Sequence, residues 1–267
     1  MNRKILIVHP FLKYYGGAEY MLAELLRMFP EADIFTFAFD KKILKLVGAT
    51  ERKVISPFGE GLLSSFYREL SVIYPSLIET YNFQEYDTII SLSYAYVHGL
   101  ITQPGQKHYS FVLTPMRALW IDRPKHFLVN IPLFASYFNN LFATQRLWDK
   151  VASARPDFLV SISKEVQARV KSYWGMDSNM IYPPVDIDSF KPSKSISKKD
   201  YFITHSRLVA HKKIDIMIEA FKKMEKQLYI IGSGREKQKL KKLAGNSKWI
   251  TFFDFINDEE KISNFFF

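Results

Sequence analysis

The chain has no cysteine. That absence excludes a disulfide framework, a thiolate zinc site and an iron–sulfur cluster, and it fits a reducing compartment. Long hydrophobic runs are missing as well. The first apolar run, Ile5-Leu-Ile-Val8 before His9-Pro10, is too short for a signal-peptide core and has the length of a buried strand. Residues 127–145 carry no charge, yet Asn130, Pro132, Asn139 and Asn140 interrupt them. A partly buried helix fits that stretch better than a membrane span, with membrane-surface contact as the alternative.

Acidic residues are scarce in one segment only. Residues 191–250 hold 16 Lys+Arg against 5 Asp+Glu, whereas residues 1–190 hold 20 against 18 and the last 17 hold 1 against 4. The net charge of +10 therefore belongs to the second segment. Such a surface attracts phosphate esters, acidic lipid or nucleic acid, unless it is a plain solvated lysine-rich face. No nucleic-acid module is legible, and the 16% aromatic content suits core packing and sugar stacking better. What is present in quantity is apolar: 48% of 267 residues, enough for one large domain or two with real cores.

Strand-like runs alternate with helix-like ones along the chain. Lys4–His9, Ala32–Phe37, Thr88–Leu92, His108–Val112 and Phe158–Ile162 read as strands. Ala18–Phe29, Leu62–Tyr81, Ile131–Val151 and Glu165–Trp174 read as helices. Tyr182-Pro-Pro-Val185 is extended, because each proline disfavours helix in the residue before it. The polar, Ser/Lys-rich residues 191–200 read as a linker. The pattern then restarts with strands at Tyr201–His205, Leu228–Ile231 and Trp249–Phe253. Helices are expected at Asp215–Met224, Arg235–Leu243 and from Asp258 onward. The order predicts an α/β protein of two Rossmann-like domains with mostly parallel sheets facing each other across a cleft. Residues 1–190 and 201–267 are the two domains.

Four motifs stand at strand ends, where open α/β sheets carry ligand groups. Gly16-Gly17-Ala18-Glu19 opens a helix, and its glycines allow close approach of an anion to the helix N-terminus. The plain alternative is a strand-to-helix turn with Glu19 as a favourable first-turn acid. Thr114-Pro-Met-Arg117-Ala-Leu-Trp120 offers an Arg able to clamp an anion, or else a surface ion pair with Trp120 in the core. Ser206-Arg207-Leu-Val-Ala-His211-Lys212 and Ile231-Gly232-Ser-Gly234 put cations and a Gly-rich turn on one edge of the second sheet, the equipment for holding a diphosphate. Neither a dinucleotide fingerprint nor a P-loop is complete, since Lys237 stands at the third glycine position and no Gly-Lys-Ser/Thr follows.

In this order the motifs resemble those of the family 4 glycosyltransferases, within the group 1 glycosyl transferases. Asp157-Phe-Leu-Val-Ser-Ile-Ser163 with Arg169, and Ile181-Tyr-Pro-Pro-Val-Asp186, match as well. The resemblance implies a GT-B fold, an acceptor-binding first domain and a second domain that binds a nucleotide sugar. It implies that Arg207 and Lys212, with Gly232 and Gly234, grip the donor diphosphate. Gly16, Gly17 and Glu19 would form a donor/acceptor loop, and Thr114, Arg117 and Ser163 would line the cleft. The expected reaction moves a hexose-type sugar to a lipid-linked or saccharide hydroxyl with retention, without metal or cofactor. A cytoplasmic place, peripheral at an anionic inner-membrane face, goes with a lipid-linked acceptor.

Two departures accompany the resemblance. Leu113 stands where the family commonly has His, and Leu can neither titrate nor donate. His108, five residues earlier on the same strand, is expected on the opposite face, so no catalytic residue is assigned. The second domain has about 70 residues, short of the ~100–200 usual for a domain, and lacks the family's pair of glutamates eight positions apart. Ile262, Phe265 and Phe266 mark an apolar helix face with nothing to cover it. The expectation is a truncated gene, an incomplete gene model or a split protein. The alternative function is an inactive remnant, or a subunit that needs a partner chain.

Overall fold

The structure, a computed structural model, describes residues 3–67, 69–122, 132–187, 200–256, 262 and 265. The expected linker falls almost wholly outside them, as do residues 127–131 of the uncharged stretch and most of the last expected helix. The chain divides into two units, Met1–Pro184 and Val185–Phe267.

Unit 1 runs β1 (Ile5–Val8), β2 (Phe11–Leu12), α1 (Gly17–Met28), β3 (Asp33–Phe35), β4 (Ala38–Phe39), α2 (Lys41–Leu46), β5 (Val54–Ile55), α3 (Leu62–Ser65) and α4 (Tyr74–Thr80). It continues with β6 (Thr88–Ser93), β7 (Lys107–Val112), α5 (Arg117–Trp120), α6 (Pro132–Ala152), β8 (Phe158–Ser161), α7 (Lys164–Arg169) and β9 (Asn179–Met180). Unit 2 holds β10 (Phe202–His205), α8 (Ile214–Met224), β11 (Leu228–Ile231), α9 (Lys237–Ala244) and β12 (Ile250–Phe253).

Seven strands of unit 1 form one parallel sheet in the order β5-β3-β1-β6-β7-β8-β9. Parallel strands are buried on both faces, so continuous aliphatic runs such as Ile5–Val8 and Thr88–Leu92 settle there. Alternate residues serve opposite faces. Leu6, Val8, Phe35 and Ile89 pack with Tyr74, Ile78 and Tyr96. Ile7, Ile34, Ile90 and Leu92 pack with Met21, Leu22, Leu25 and Leu26 of α1. Each such side chain contributes about 1.5–3 kcal/mol through burial. Arg52 closes the C-terminal end of α1, donating to the carbonyls of Leu26 (2.8 Å), Phe29 (3.1 Å) and Ala32 (3.1 Å).

Two expected helices differ in the structure. Residues 62–81 break into α3, a 3-10 turn at Glu69–Val72, and α4. Pro75 explains the break: it has no N–H for the preceding turn and is tolerated only where a helix starts. Residues 165–174 begin as α7 but widen into a π-helical turn at Val170–Trp174, stopped by Gly175 at φ +77°.

Unit 2 has a three-stranded parallel sheet, β10-β11-β12. One face packs against α8 and α9 through Leu208, Ile214, Ile218, Leu228, Ile230, Leu240 and Ile250. The other face is aromatic: Tyr201 stacks on Tyr229 (4.3 Å), Tyr229 meets Phe253 (5.1 Å), and Phe253 meets Phe265 (5.0 Å). Tyr201 donates its hydroxyl to the Phe265 carbonyl at 2.7 Å, and Ile262 is buried. The expectation that Ile262 and Phe265 have nothing to cover them is therefore corrected, because the sheet's own aromatic face receives Phe265.

Helix α6 approaches the turn after β6 so closely that a Cβ on Gly99 would lie 2.5 Å from the Trp148 ring. Gly99→Ala should cost about 1–3 kcal/mol by overpacking, read as a lower urea midpoint with an unchanged slope.

Candidate functional site

In unit 1 the strand order reverses between β1 and β6, and ligand crevices of open α/β sheets lie outside the carboxyl ends at such a point. His9 follows β1 there, Tyr94 follows β6, and Leu113 follows β7. The Gly16-Gly17 turn leads into α1, with Gly16 in an extended conformation and no side-chain cap. Glu19 sits in the first turn of α1 and is nearly buried, with Oε1 3.7 Å from His9 Nε2. His9 is completely buried. Burial pushes it down to about 3, the Phe11 backbone opposing.

Leu113 packs against the α1 side of the sheet with Tyr15 and Ile162. His108 lies on the other face, buried, its Nε2 2.8 Å from Ser91 Oγ. Burial, with a smaller push from His98, takes His108 down to about 3 against the pull of Asp157.

In the Thr114–Trp120 turn the Arg117 guanidinium has a partner within the chain. Arg117 forks onto Asp122, Nε to Oδ2 at 3.0 Å and Nη2 to Oδ1 at 3.2 Å. Both residues are partly exposed, so this is the ion pair of the plainer reading. Thr114 bonds the adjacent Pro115 carbonyl, and Ser163 caps α7 by accepting from the Val166 N–H. What holds the turn in place is a residue the sequence reading did not single out. Asp149 of α6 is fully buried, and its Oδ2 accepts from Trp120 Nε1 at 2.8 Å and Trp174 Nε1 at 2.6 Å. Its Oδ1 lies 3.5 Å from His98 Nε2, while His98 Nδ1 is 2.9 Å from Ser93 Oγ. The available signal was a lone acid after more than twenty uncharged or basic positions, beside Trp148. His9 was legible as an imidazole placed at a strand end.

Unit 2 brings its two motifs together. The Ser206 N–H bonds the Ile231 carbonyl (3.1 Å), and the Leu208 N–H bonds the Ser233 carbonyl (2.8 Å). The Glu236 N–H in turn bonds the Leu208 carbonyl (3.1 Å). The two turns cross backbone against backbone. A Cβ on Gly232 would overlap the Ser206 carbonyl oxygen, and one on Gly234 the Leu208 carbonyl oxygen. Both glycines also have positive φ, which L side chains rarely adopt. Leu208 is sealed in the core between Arg207 and the 3-10 turn Ala210–Lys212, so the two cations project from a fixed base. Arg207 and Lys212 are exposed, and neither makes an ion pair among the described residues. The N-terminus of α9 begins at Lys237, after Arg235 and the N-cap Glu236, and adds its dipole to the same edge.

Residues 186–266 match the family model described as glycosyl transferases group 1. No curated protein matches the chain. Among solved structures, the chain is similar to Anabaena Alr3699/HepE in complex with UDP, at 18% identity and TM-score 0.62 over 97% of this chain and 71% of that one. The complex of that protein with UDP-glucose gives 17% and 0.61 over the same shares. A TarM mutant from S. aureus, in complex with fondaparinux, alpha-GlcNAc-glycerol and UDP, gives 12% and 0.56 over 96% and 78%. At these identities the likeness shows the fold, and the two Rossmann-like units are those of the GT-B type. No described helix is long and apolar enough to cross a membrane, and no group of three or more His, Asp or Glu suited to a metal ion occurs among the described residues.

Two outcomes are expected. Gly234→Ala should destabilise unit 2 by at least about 1–3 kcal/mol, because strain and overlap add, with an earlier transition in thermal unfolding. His9 and His108 sit near 3 when folded against an ordinary 6.5, so the unfolded chain binds more protons between those values. Their stabilisation is complete above pH 6.5 and is lost as pH falls toward 3, at about 1.4 kcal/mol per pH unit for each. Urea unfolding across that window should show the slope, and His108→Gln should reduce it by one histidine's share.

Proposed function

We propose that this protein is a glycosyltransferase that takes a hexose-type sugar from a nucleoside-diphosphate sugar. The acceptor is the hydroxyl of a lipid-linked or saccharide molecule. The observation that carries the reading is the interlock of the Ser206–Lys212 and Gly232–Gly234 turns. It holds two exposed cations and a helix N-terminus on one sheet edge, inside the segment that matches the group 1 family. The similar HepE structures hold UDP and UDP-glucose.

In the reaction the bond from the anomeric carbon to the donor's phosphate oxygen breaks, and its electron pair leaves with the nucleoside diphosphate. The acceptor oxygen bonds to the anomeric carbon. With retention, it attacks from the face the phosphate leaves, and its proton passes to that phosphate. Arg207 and Lys212 stabilise the charge that builds on the departing oxygens, each at about 1.5–3 kcal/mol. No metal or cofactor has a part in this scheme, since the two side chains neutralise the diphosphate. The basic segment would let the enzyme work at an anionic cytoplasmic membrane face, where a lipid-linked acceptor is presented. Nucleic acid is not a partner.

Calorimetric titration with UDP and UDP-glucose, then with other nucleoside-diphosphate hexoses, tests the reading. Wild-type protein should bind at least one donor. Arg207→Ala and Lys212→Ala should each weaken binding by roughly 10–100-fold, the loss of one charge-assisted contact. Absence of binding by every donor, or equal binding by both variants, overturns it.

A further inference from the structure

The cations of unit 2 fall into two groups at opposite edges of its sheet. Strands β10, β11 and β12 run parallel, so all three begin at one edge. Arg207 and Lys212 follow β10 and stand at the other, carboxyl edge. Two backbone bonds fix the register of the amino edge. The Phe202 N–H donates to the Gln227 carbonyl and the Leu228 N–H to the Trp249 carbonyl, each at 2.8 Å. Lys226 and Lys248 stand one residue before this row. Helices α8 and α9 each run from the carboxyl edge back to the start of the next strand, so their last turns bring Lys222, Lys223 and Lys242 to the same amino edge. Lys222 Nζ donates to the Leu243 carbonyl at 3.1 Å and ties the two helix ends together. The ion pairs described in unit 2, Lys237–Asp254 and Lys239–Glu236, lie toward the carboxyl edge, and none of these five lysines has one among the described residues. The acids described at the amino edge are Asp200 and Glu225, both exposed.

Lysine near a helix C-terminus is favourable in itself, but that does not account for what lies between the lysines. Phe202 is 52% exposed, Met224 52% and Leu243 36%. Trp249 is half-buried, and Lys248 Nζ stands 4.7 Å from its ring centroid. Exposed apolar side chains and an indole set among ammonium groups on long stems have the composition of a surface that meets lipid. Apolar groups enter the acyl boundary, the indole sits at headgroup level and the lysines reach the phosphates. A nucleic acid would use the lysines and leave Met224 and Leu243 in water.

We propose that the amino edge of the unit 2 sheet docks on an anionic lipid bilayer, with Met224 and Leu243 entering the headgroup region and the five lysines on the lipid phosphates. The inference rests on the reading above for the presence of a membrane and adds the surface that meets it. Arg207 and Lys212, at the opposite edge of the same sheet, stay turned to solvent.

The test is sedimentation of the whole chain with vesicles of equimolar phosphatidylglycerol and phosphatidylcholine, against vesicles of phosphatidylcholine alone. Binding is expected to the anionic vesicles only. Each lysine near such a surface strengthens binding about fivefold, so Lys223→Glu, Lys226→Glu and Lys242→Glu together should weaken it about 100-fold or more. Lys42→Glu, Lys45→Glu and Lys150→Glu together make the same change in net charge on unit 1 and should cost less than about fivefold. Met224→Gln with Leu243→Gln should weaken binding about tenfold. Brominated lipid should quench the tryptophan emission of bound protein, and Trp249→Phe should remove most of that quenching. Equal loss in the two triple variants, or quenching that ignores Trp249, overturns the inference. So does binding of a single-stranded oligonucleotide through the same lysines with no binding to vesicles. UDP is titrated into every sample, and each variant should bind it as wild type does. If UDP binds and the vesicles do not, the docking edge falls and the donor reading stands. If UDP binds no sample while the vesicle results hold, the donor reading falls and the docking edge stands.

Discussion

Two indole N–H groups end on one carboxylate oxygen inside unit 1, and much of the architecture around the sheet's carboxyl edge follows from that meeting. Asp149 is the acceptor, and Trp120 and Trp174 are the donors. The three residues belong to α6, to α5 beyond the Thr114–Arg117 turn, and to the π-helical turn after α7. A buried carboxylate is tolerated only with strong donors, and two indoles at 2.6–2.8 Å supply them. Withdrawing the acid would leave both indole donors unsatisfied, at about 1–3 kcal/mol each. Through His98 and Ser93 the same anchor reaches the end of β6.

The two units handle charge in opposite ways. Unit 1 takes histidines into its interior and holds them neutral: His9, His98 and His108 are all pushed below their ordinary value by burial. Unit 2 keeps its cations outside, on short turns whose backbones are clamped to each other by hydrogen bonds and by the absence of two side chains. One unit presents hydrogen-bonding groups in a field of low net charge; the other presents fixed positive charge.

Much of this was legible in the chain. Aliphatic runs such as Ile5–Val8 located strands because parallel sheets bury both faces, and the apolar spacing of residues 18–29 located α1. Gly232 and Gly234 were found as a Gly-rich turn, although no spacing rule reveals that they cross the Ser206 and Leu208 carbonyls, since that contact joins turns some 25 positions apart. Arg117 illustrates the opposite difficulty. Its motif suggested an anion clamp, while the partner it meets, Asp122, lies in an ordinary polar stretch. The role of Asp149 was hidden because an acid in an apolar helix is recognisable only once its donors arrive from elsewhere. Residues 62–81 looked like one helix because apolar spacing persists across Pro75, and the backbone constraint of that proline outweighs it.

The π-helical turn at Val170–Trp174 has a consequence for the phase of the chain. An α-helix advances each residue by about 100° around its axis, and a wider turn absorbs one residue without completing that rotation. Trp174 is the last residue of this turn, and its indole meets Asp149 from there. Deleting one position between Val170 and Tyr173 would leave composition, charge and hydropathy almost unchanged while swinging the indole out of line with Asp149. Length at this point is thus as tightly specified as residue identity, and related chains that keep the indole–carboxylate bond should keep the register of this turn even where its residues drift.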